Sequence, residues 1–177
     1  MYKNPRLYYK FSLSPYKVVN NKEYFRIITH GFVHADMMHL IFNMLTFFFF
    51  AFAFERTVGS MDFFLVYFIS LVAATVTTIK KHKSNPNYRS VGASGAISGI
   101  LLGAILYNPQ ATIYIFFAIP IPAPLFAVLY LAYTYFASKQ SADMINHEAH
   151  LWGAIAGVAT TILFEPAVVP YFIENLF

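Results

Sequence analysis

Val91-Gly92-Ala93-Ser94-Gly95-Ala96 opens a run of the chain that carries no charge until Lys139. Ser94 sits there among small residues, at the head of the apolar segment 93–107. A hydroxyl kept from water costs free energy unless it finds a hydrogen-bond partner. The question the stretch poses is therefore what meets Ser94.

Working outward, the 177 residues are 58% hydrophobic and 11% charged, with a mean hydropathy of +0.55. Soluble domains lie nearer half apolar and a quarter charged, so the composition is that of an integral membrane protein, and the length is that of one domain. Cysteine is absent, which excludes disulfides, thiolate metal sites and a cysteine nucleophile. Residues 1–22 are polar and basic and lack the apolar core of a secretory signal. The net charge of +4 is spread over loops, with no Lys/Arg run on a helix face, which argues against nucleic acid as a partner.

Residues 1–34 read as an interfacial N-terminal loop segment: Lys10, Lys17 and Lys22 alternate with Tyr8, Tyr9, Phe11, Tyr16, Tyr24 and Phe25, and amphipathic rings favour headgroup level. Residues 35–177 read as an all-α polytopic membrane bundle. A spanning helix needs about 20 mainly apolar residues, and five apolar segments follow, at 35–54, 61–79, 93–107, 124–137 and 148–164. Pro120, Pro122 and Pro124 cannot sit inside a regular helix, so 111–123 is expected to be a re-entrant or interfacial connection. The third segment is short, and its helix is expected to start below the membrane surface, where irregular backbone must be buried in protein or face a cavity.

Ionisable and polar groups inside membrane segments mark function by default; here they are His34, His39, Asn43, Glu55, Ser94 and His150. Segments one, three and five run the same way through the bilayer, so His39, Asn43, Ser94 and His150 fall near one face. His39 and Asn43 are four apart and share a helix side. His34 and His39 are about 140° apart at about 100° per residue, which disfavours a two-histidine metal site. His147-Glu148-Ala149-His150 is not the HExxH pattern of a zinc protease. Asp36, Asp62 and Asp143 all lie near segment ends, which removes an aspartyl protease.

What remains is a serine with a histidine. A serine hydroxyl is a weak nucleophile until a base takes its proton, and His150 is placed to be that base. Gly95, Gly99 and Gly103 recur at four-residue spacing in the third segment and Gly153 and Gly157 in the fifth, and such ladders let membrane helices approach closely. The free N–H groups at the start of the Ser94 helix, with His39 and Asn43, can donate to an oxyanion. No carboxylate is placed to orient His150, since Glu148 points elsewhere on the helix, so the pattern is a dyad. Each signal alone has a plainer reading: small residues pack, membrane histidines bridge helices, and Glu55-Arg56 ends a helix. Their joint occurrence favours catalysis.

His34-xxxx-His39-xxx-Asn43, Gly92-Ala93-Ser94-Gly95 and Ala149-His150-xx-Gly153-xxx-Gly157 resemble the three signature motifs of the rhomboid intramembrane serine proteases. Phe25-Arg26 resembles the aromatic–Arg pair of that family's first long loop, and Glu55-xxx-Gly59 its helix-two glutamate and glycine; the resemblance runs from about Leu13 to Phe164. It implies that 35–177 is a catalytic domain, with Ser94 as nucleophile and His150 as general base and acid. His39, Asn43 and the Ser94 N–H would line the oxyanion hole. Arg26, His34 and Glu55 would hold the long loop, with Gly92, Gly95, Gly153 and Gly157 as structural support. Segment 138–147 would be a mobile cap and 124–137 a lateral gate. Substrates would be transmembrane segments of other proteins in the lipid bilayer, and neither a metal nor another cofactor enters the reading.

Two departures accompany the resemblance. The family core has six spans and five are read here, the missing one being the first, which would precede Tyr2. Four residues after the nucleophile the family usually has an aromatic stacked on the catalytic histidine; here it is Ser98. The family implies a bacterial cell membrane with the site on the extracytoplasmic side. Every lysine and arginine except Arg56 falls on the active-site side by span counting, and the positive-inside rule would turn that side to the cytoplasm. The competing functional readings are a catalytically inactive rhomboid-like protein that binds transmembrane helices, and a small transporter, which the lack of an internal repeat disfavours.

Overall fold

The computed structural model describes residues 5–140 and 145–176. Three short helices lead in: α1 (Pro5–Phe11), α2 (Pro15–Asn20) and α3 (Arg26–Thr29), the last running into a 3₁₀ turn at His30–Phe32. The membrane bundle follows as α4 (Met37–Val58), α5 (Ser60–His82), α6 (Ser94–Tyr107), α7 (Ala123–Ala137) and α8 (His147–Phe164), and α9 (Val168–Glu174) ends the chain's described part.

Local chemistry sets these boundaries. Asp36 caps α4 by accepting from the His39 N–H at 2.8 Å, and Asn146 caps α8 by accepting from the Ala149 N–H at 3.1 Å. Gly59 divides α4 from α5 at φ +85°, a left-handed conformation natural to glycine. Pro124 lies in the first turn of α7, where its missing N–H costs nothing.

The connection at 111–123 is a β-hairpin, β1 (Thr112–Ile115) and β2 (Ile119–Pro122), antiparallel with Thr112 opposite Pro122 and Tyr114 opposite Pro120. The prolines that forbid a helix there are tolerated because a two-stranded ribbon consists only of edge strands. Phe116 and Phe117 stand exposed at its tip.

α4 and α5 are each long and apolar enough to cross a membrane. α8 meets that test together with α9, from which it is bent by 106°. α6 and α7, with 14 and 15 residues, are apolar but shorter; at 1.5 Å per residue α6 covers about 21 Å of a hydrocarbon core about 30 Å thick. α6 is the central helix. It packs on α4, α5, α7 and α8, and its residues from Gly95 to Gly103 are all buried. Phe48, Phe49 and Phe52 of α4, Phe64 and Val72 of α5, Val128 and Phe136 of α7 and Ile155 of α8 point outward. An apolar exterior around a core that contains Ser70, Thr75, Ser98 and Thr161 suits lipid rather than water.

The lead-in helices are clasped to the bundle. Arg26 is buried; its Nη1 donates to the carbonyls of Tyr9 at 2.9 Å and Ser12 at 2.7 Å, and its Nε donates to Glu23 at 2.6 Å. Leu13 and Ser90 exchange backbone hydrogen bonds of 2.9 and 3.1 Å, pinning the loop that precedes α6.

Candidate active site

The start of α6 is held from below and from the side. Gly92 has φ +116°, and its N–H donates to the His30 carbonyl at 3.0 Å. A Cβ at Gly92 would stand 2.6 Å from Cε1 of His39, so the imidazole of His39 lies directly over this turn. Two residues on, Ser94 begins the helix. Its N–H and the next two lie in the first turn, where an α-helix offers no internal acceptor.

α8 is seated by Asn146, whose Nδ2 donates to Thr78 Oγ1 at 2.9 Å and to Ser90 Oγ at 3.3 Å. One residue type thus caps α8 and ties it to α5 and to the loop before α6. Glycines then bring α6 and α8 backbone to backbone. A Cβ on Gly153 would collide with the carbonyl of Gly95, and one on Gly157 with the Cα of Gly99. A Cβ on Gly95 would meet the Ala149 carbonyl at 3.2 Å. At this separation Nε2 of His150 lies 2.7 Å from Oγ of Ser94, a hydrogen bond between side chains 56 residues apart. Both residues are half-buried, so the pair is packed yet open on one side.

Of the other residues singled out, His39 lies beside the Ser94 turn, and its ring meets that of His34 edge-to-face at 5.1 Å. His34 is buried, and its Nε2 has no hydrogen-bond partner among the described residues. Burial first, and the neighbouring His39 second, hold its pKa below the ordinary histidine value. Asn43 is buried one turn along α4, and its Nδ2 donates to the His39 carbonyl at 2.9 Å. Arg26 holds the lead-in loop as just described. Glu55 does not reach that loop: it sits at the far end of α4, where it accepts from Ser60 Oγ at 2.7 Å across the Gly59 turn. The reason is length, since 18 residues of helix separate it from the start of α4. The segment expected as a cap, 138–147, falls partly on residues 141–144, which lie outside the described residues.

The structure gives Ser98, singled out in the sequence, its partners and adds Asn146, Tyr130, Tyr133 and His147, which the sequence reading did not assign to the site. Ser98 Oγ donates to the Ser94 carbonyl at 2.7 Å and meets the Tyr130 hydroxyl of α7 at 2.5 Å. His147, buried at the head of α8, packs edge-to-face on His150 at 6.0 Å and on Tyr133 of α7 at 5.3 Å. The only advance signals were Asn146 standing before a helical run, as caps do, and the i,i+3 spacing of Tyr130 and Tyr133. Among the described residues no three His, Asp or Glu side chains gather as a metal site would require.

The Rhomboid domain model matches residues 21–166. The chain is 28% identical over 149 residues to RHOMBOID-like protein 12, mitochondrial, of Arabidopsis thaliana, covering 75% of this chain and 44% of that protein. It is 42% identical over 90 residues to the putative rhomboid protease YdcA of Bacillus subtilis, half of this chain and 43% of that one. With rhomboid protease GlpG of Haemophilus influenzae it shares 28% identity over 140 residues, 78% of this chain and 68% of the relative. The chain thus spans less than half the length of the first two of these relatives. With the family match running from before Arg26 through the Ser94 turn and the α6–α8 contact, the chain belongs to the rhomboid family.

Proposed function

We propose that the protein is a serine endopeptidase that cleaves transmembrane segments of other membrane proteins with a Ser94–His150 dyad. The observation that carries this reading is the 2.7 Å contact between His150 Nε2 and Ser94 Oγ inside an apolar helical bundle. Rhomboid proteases among its relatives support the same reaction class.

With the imidazole proton on Nδ1, Nε2 of His150 accepts the Ser94 proton as Oγ attacks the scissile carbonyl carbon. The developing oxyanion is met by the Ser94 N–H at the head of α6, with His39 beside the turn and the second N–H of the Asn43 amide within the same region; one such donor is worth about 3 kcal/mol of barrier. His150 then passes its proton to the leaving amide nitrogen, and an ester on Ser94 remains. Water entering from the open side of the pair gives a proton to His150 and attacks the ester; the returning proton restores Ser94. A peptide bond inside a regular helix shields its carbonyl from such attack, so substrates that unwind readily near the cleavage point are preferred.

The reading places the protein in a bacterial cell membrane with the dyad near the extracytoplasmic face. Alkylation of Lys80 and Lys83 by a membrane-impermeant reagent in whole cells supports that orientation; modification only after lysis reverses it.

The central test is cleavage of a model transmembrane substrate by purified protein beside Ser94→Ala and His150→Ala. Each substitution is expected to lower kcat by the order of 10⁴-fold or more. Equal rates in all three proteins would sink the mechanism. Absence of cleavage by the unmodified protein, with retained capture of the substrate helix, would favour the inactive helix-binding reading instead.

A further inference from the structure

The dyad is built from α6 and α8, yet two tyrosines of α7 reach toward it. α7 has a largely lipid-facing exterior, with Leu125, Val128 and Phe136 exposed. Tyr130 faces the bundle, and Tyr133, three residues on and 60% exposed, keeps its ring against the buried His147.

Tyr130 acts on the serine side. Its hydroxyl meets Ser98 Oγ at 2.5 Å, and Ser98 donates to the Ser94 carbonyl at 2.7 Å. A serine hydroxyl has one proton, and here it is spent on that carbonyl, so Tyr130 must be the donor to Ser98. The Tyr130 ring is itself held by stacking on Phe126, with centroids 5.8 Å apart. With the Ser98 oxygen occupied from α7, its own O–H is kept on the first peptide of the catalytic helix. Tyr133 acts on the histidine side. Its ring stands edge-to-face on His147 at 5.3 Å, and His147, one turn before His150, stands edge-to-face on it at 6.0 Å.

We infer that Tyr130 and Tyr133 are positioning residues of the dyad: α7 grips Ser94 through Ser98 and His150 through His147. The inference rests on the dyad reading above. Its consequence is that the seat of α7 sets the Ser94–His150 geometry, so that moving α7 loosens both halves together. The position where the family usually carries an aromatic on α6 is here Ser98, which meets the Tyr130 hydroxyl of α7, while the ring beside His150 is that of His147 on its own helix.

The test uses the full chain in detergent, with two readouts: the rate of fluorophosphonate labelling at Ser94, and kcat and KM on a model transmembrane substrate. Tyr130→Phe removes the Tyr130–Ser98 hydrogen bond, and Ser98→Ala removes both that bond and the one to the Ser94 carbonyl. Each is expected to slow labelling and kcat about tenfold, with KM within twofold and the thermal midpoint near that of the unmodified protein. The double variant is expected to be no slower than the slower single one. Tyr133→Ala is expected to slow both rates similarly, and Tyr133→Phe, which keeps the ring, to restore them. Rates that multiply in the Tyr130/Ser98 double variant, a Tyr133→Phe as slow as Tyr133→Ala, or an effect confined to KM would overturn the inference. If Tyr130→Phe does not fold, the Tyr133→Ala and Tyr133→Phe pair decides whether α7 positions the dyad. Ser94→Ala separates the two levels of argument. If it is labelled as readily as the unmodified protein, the dyad reading falls and this inference with it; if it is not, and Tyr130→Phe keeps the full rate, this inference alone falls.

Discussion

At the scale of the residue, Gly92 is the position on which the turn before Ser94 depends. Its φ of +116° disfavours any side chain, and a Cβ there would stand 2.6 Å from His39. Either the ring of His39 moves off the turn or the turn itself moves. Gly92→Ala is expected to cost about 1–3 kcal/mol of stability from backbone strain, read as a lowered thermal midpoint in detergent. It is also expected to slow labelling of Ser94 by more than the stability loss explains, because His39 is displaced from the side of the turn on which the proposed mechanism places the oxyanion. An unchanged midpoint with an unchanged labelling rate would show that the turn tolerates a side chain and that the placement of His39 is unimportant.

At the scale of the element, the decisive contact is between α6 and α8. Leucine-sized residues would hold these helices about 8–10 Å apart, too far for a serine and a histidine near their ends to share a proton. Glycine at 95, 99, 153 and 157 removes that separation, and the added Cβ atoms at 153 and 157 would strike backbone, which cannot rotate away. Gly153→Ala and Gly157→Ala are therefore expected to destabilise by about 1–3 kcal/mol each, as overpacked cores do, and to lengthen the Ser94–His150 separation. Gly59→Ala serves as the comparison: a Cβ there meets nothing within 4 Å, so its effect is conformational strain alone, far from the dyad. Labelling at Ser94 should fall in the first two variants and hold in the third. The reverse order would refute the close-approach argument.

At the scale of the whole molecule, the N-terminal helices are locked onto the bundle through α3 and its 3₁₀ extension. Arg26 ties α1 and the Ser12 linker to it, and the carbonyl of His30 receives the Gly92 N–H. His30 is only 5% exposed. Burial lowers its pKa to about 4 from the ordinary 6.5, partly offset by its contact with the Arg26 backbone carbonyl. The sign follows directly: the unfolded chain takes up the proton first, so the contribution is intact above pH 6.5 and is lost as the pH falls toward 4. Between pH 6.5 and 5, before most carboxylates titrate, the loss should be about 2 kcal/mol. Thermal unfolding in detergent across that range should show it, and His30→Asn should flatten the curve. His34, shifted the same way, adds in the same direction. Parallel curves for the two proteins would exclude His30 as the source.

Much of this was legible in the linear chain, and the reason is locality. Long apolar runs, caps at Asp36 and Asn146, prolines at 120, 122 and 124 and glycines at four-residue spacing act within a few residues of themselves. They determine the membrane class, the helices, the break at 111–123 and the ladder that permits contact; even the pairing of Ser94 with His150 could be expected by counting spans. What only the tertiary structure decided involves partners far apart in sequence. The 2.7 Å distance itself, the wrap of Arg26 around the Tyr9 and Ser12 carbonyls, the hairpin between β1 and β2, and the seating of Glu55 away from the loop it was expected to hold are of this kind. So is the answer to Ser98. Read along the chain, it is an aromatic missing from α6; in the folded bundle, α7 brings Tyr130 to its hydroxyl. A motif records which residue stands at a position, whereas only packing decides which distant side chain meets it.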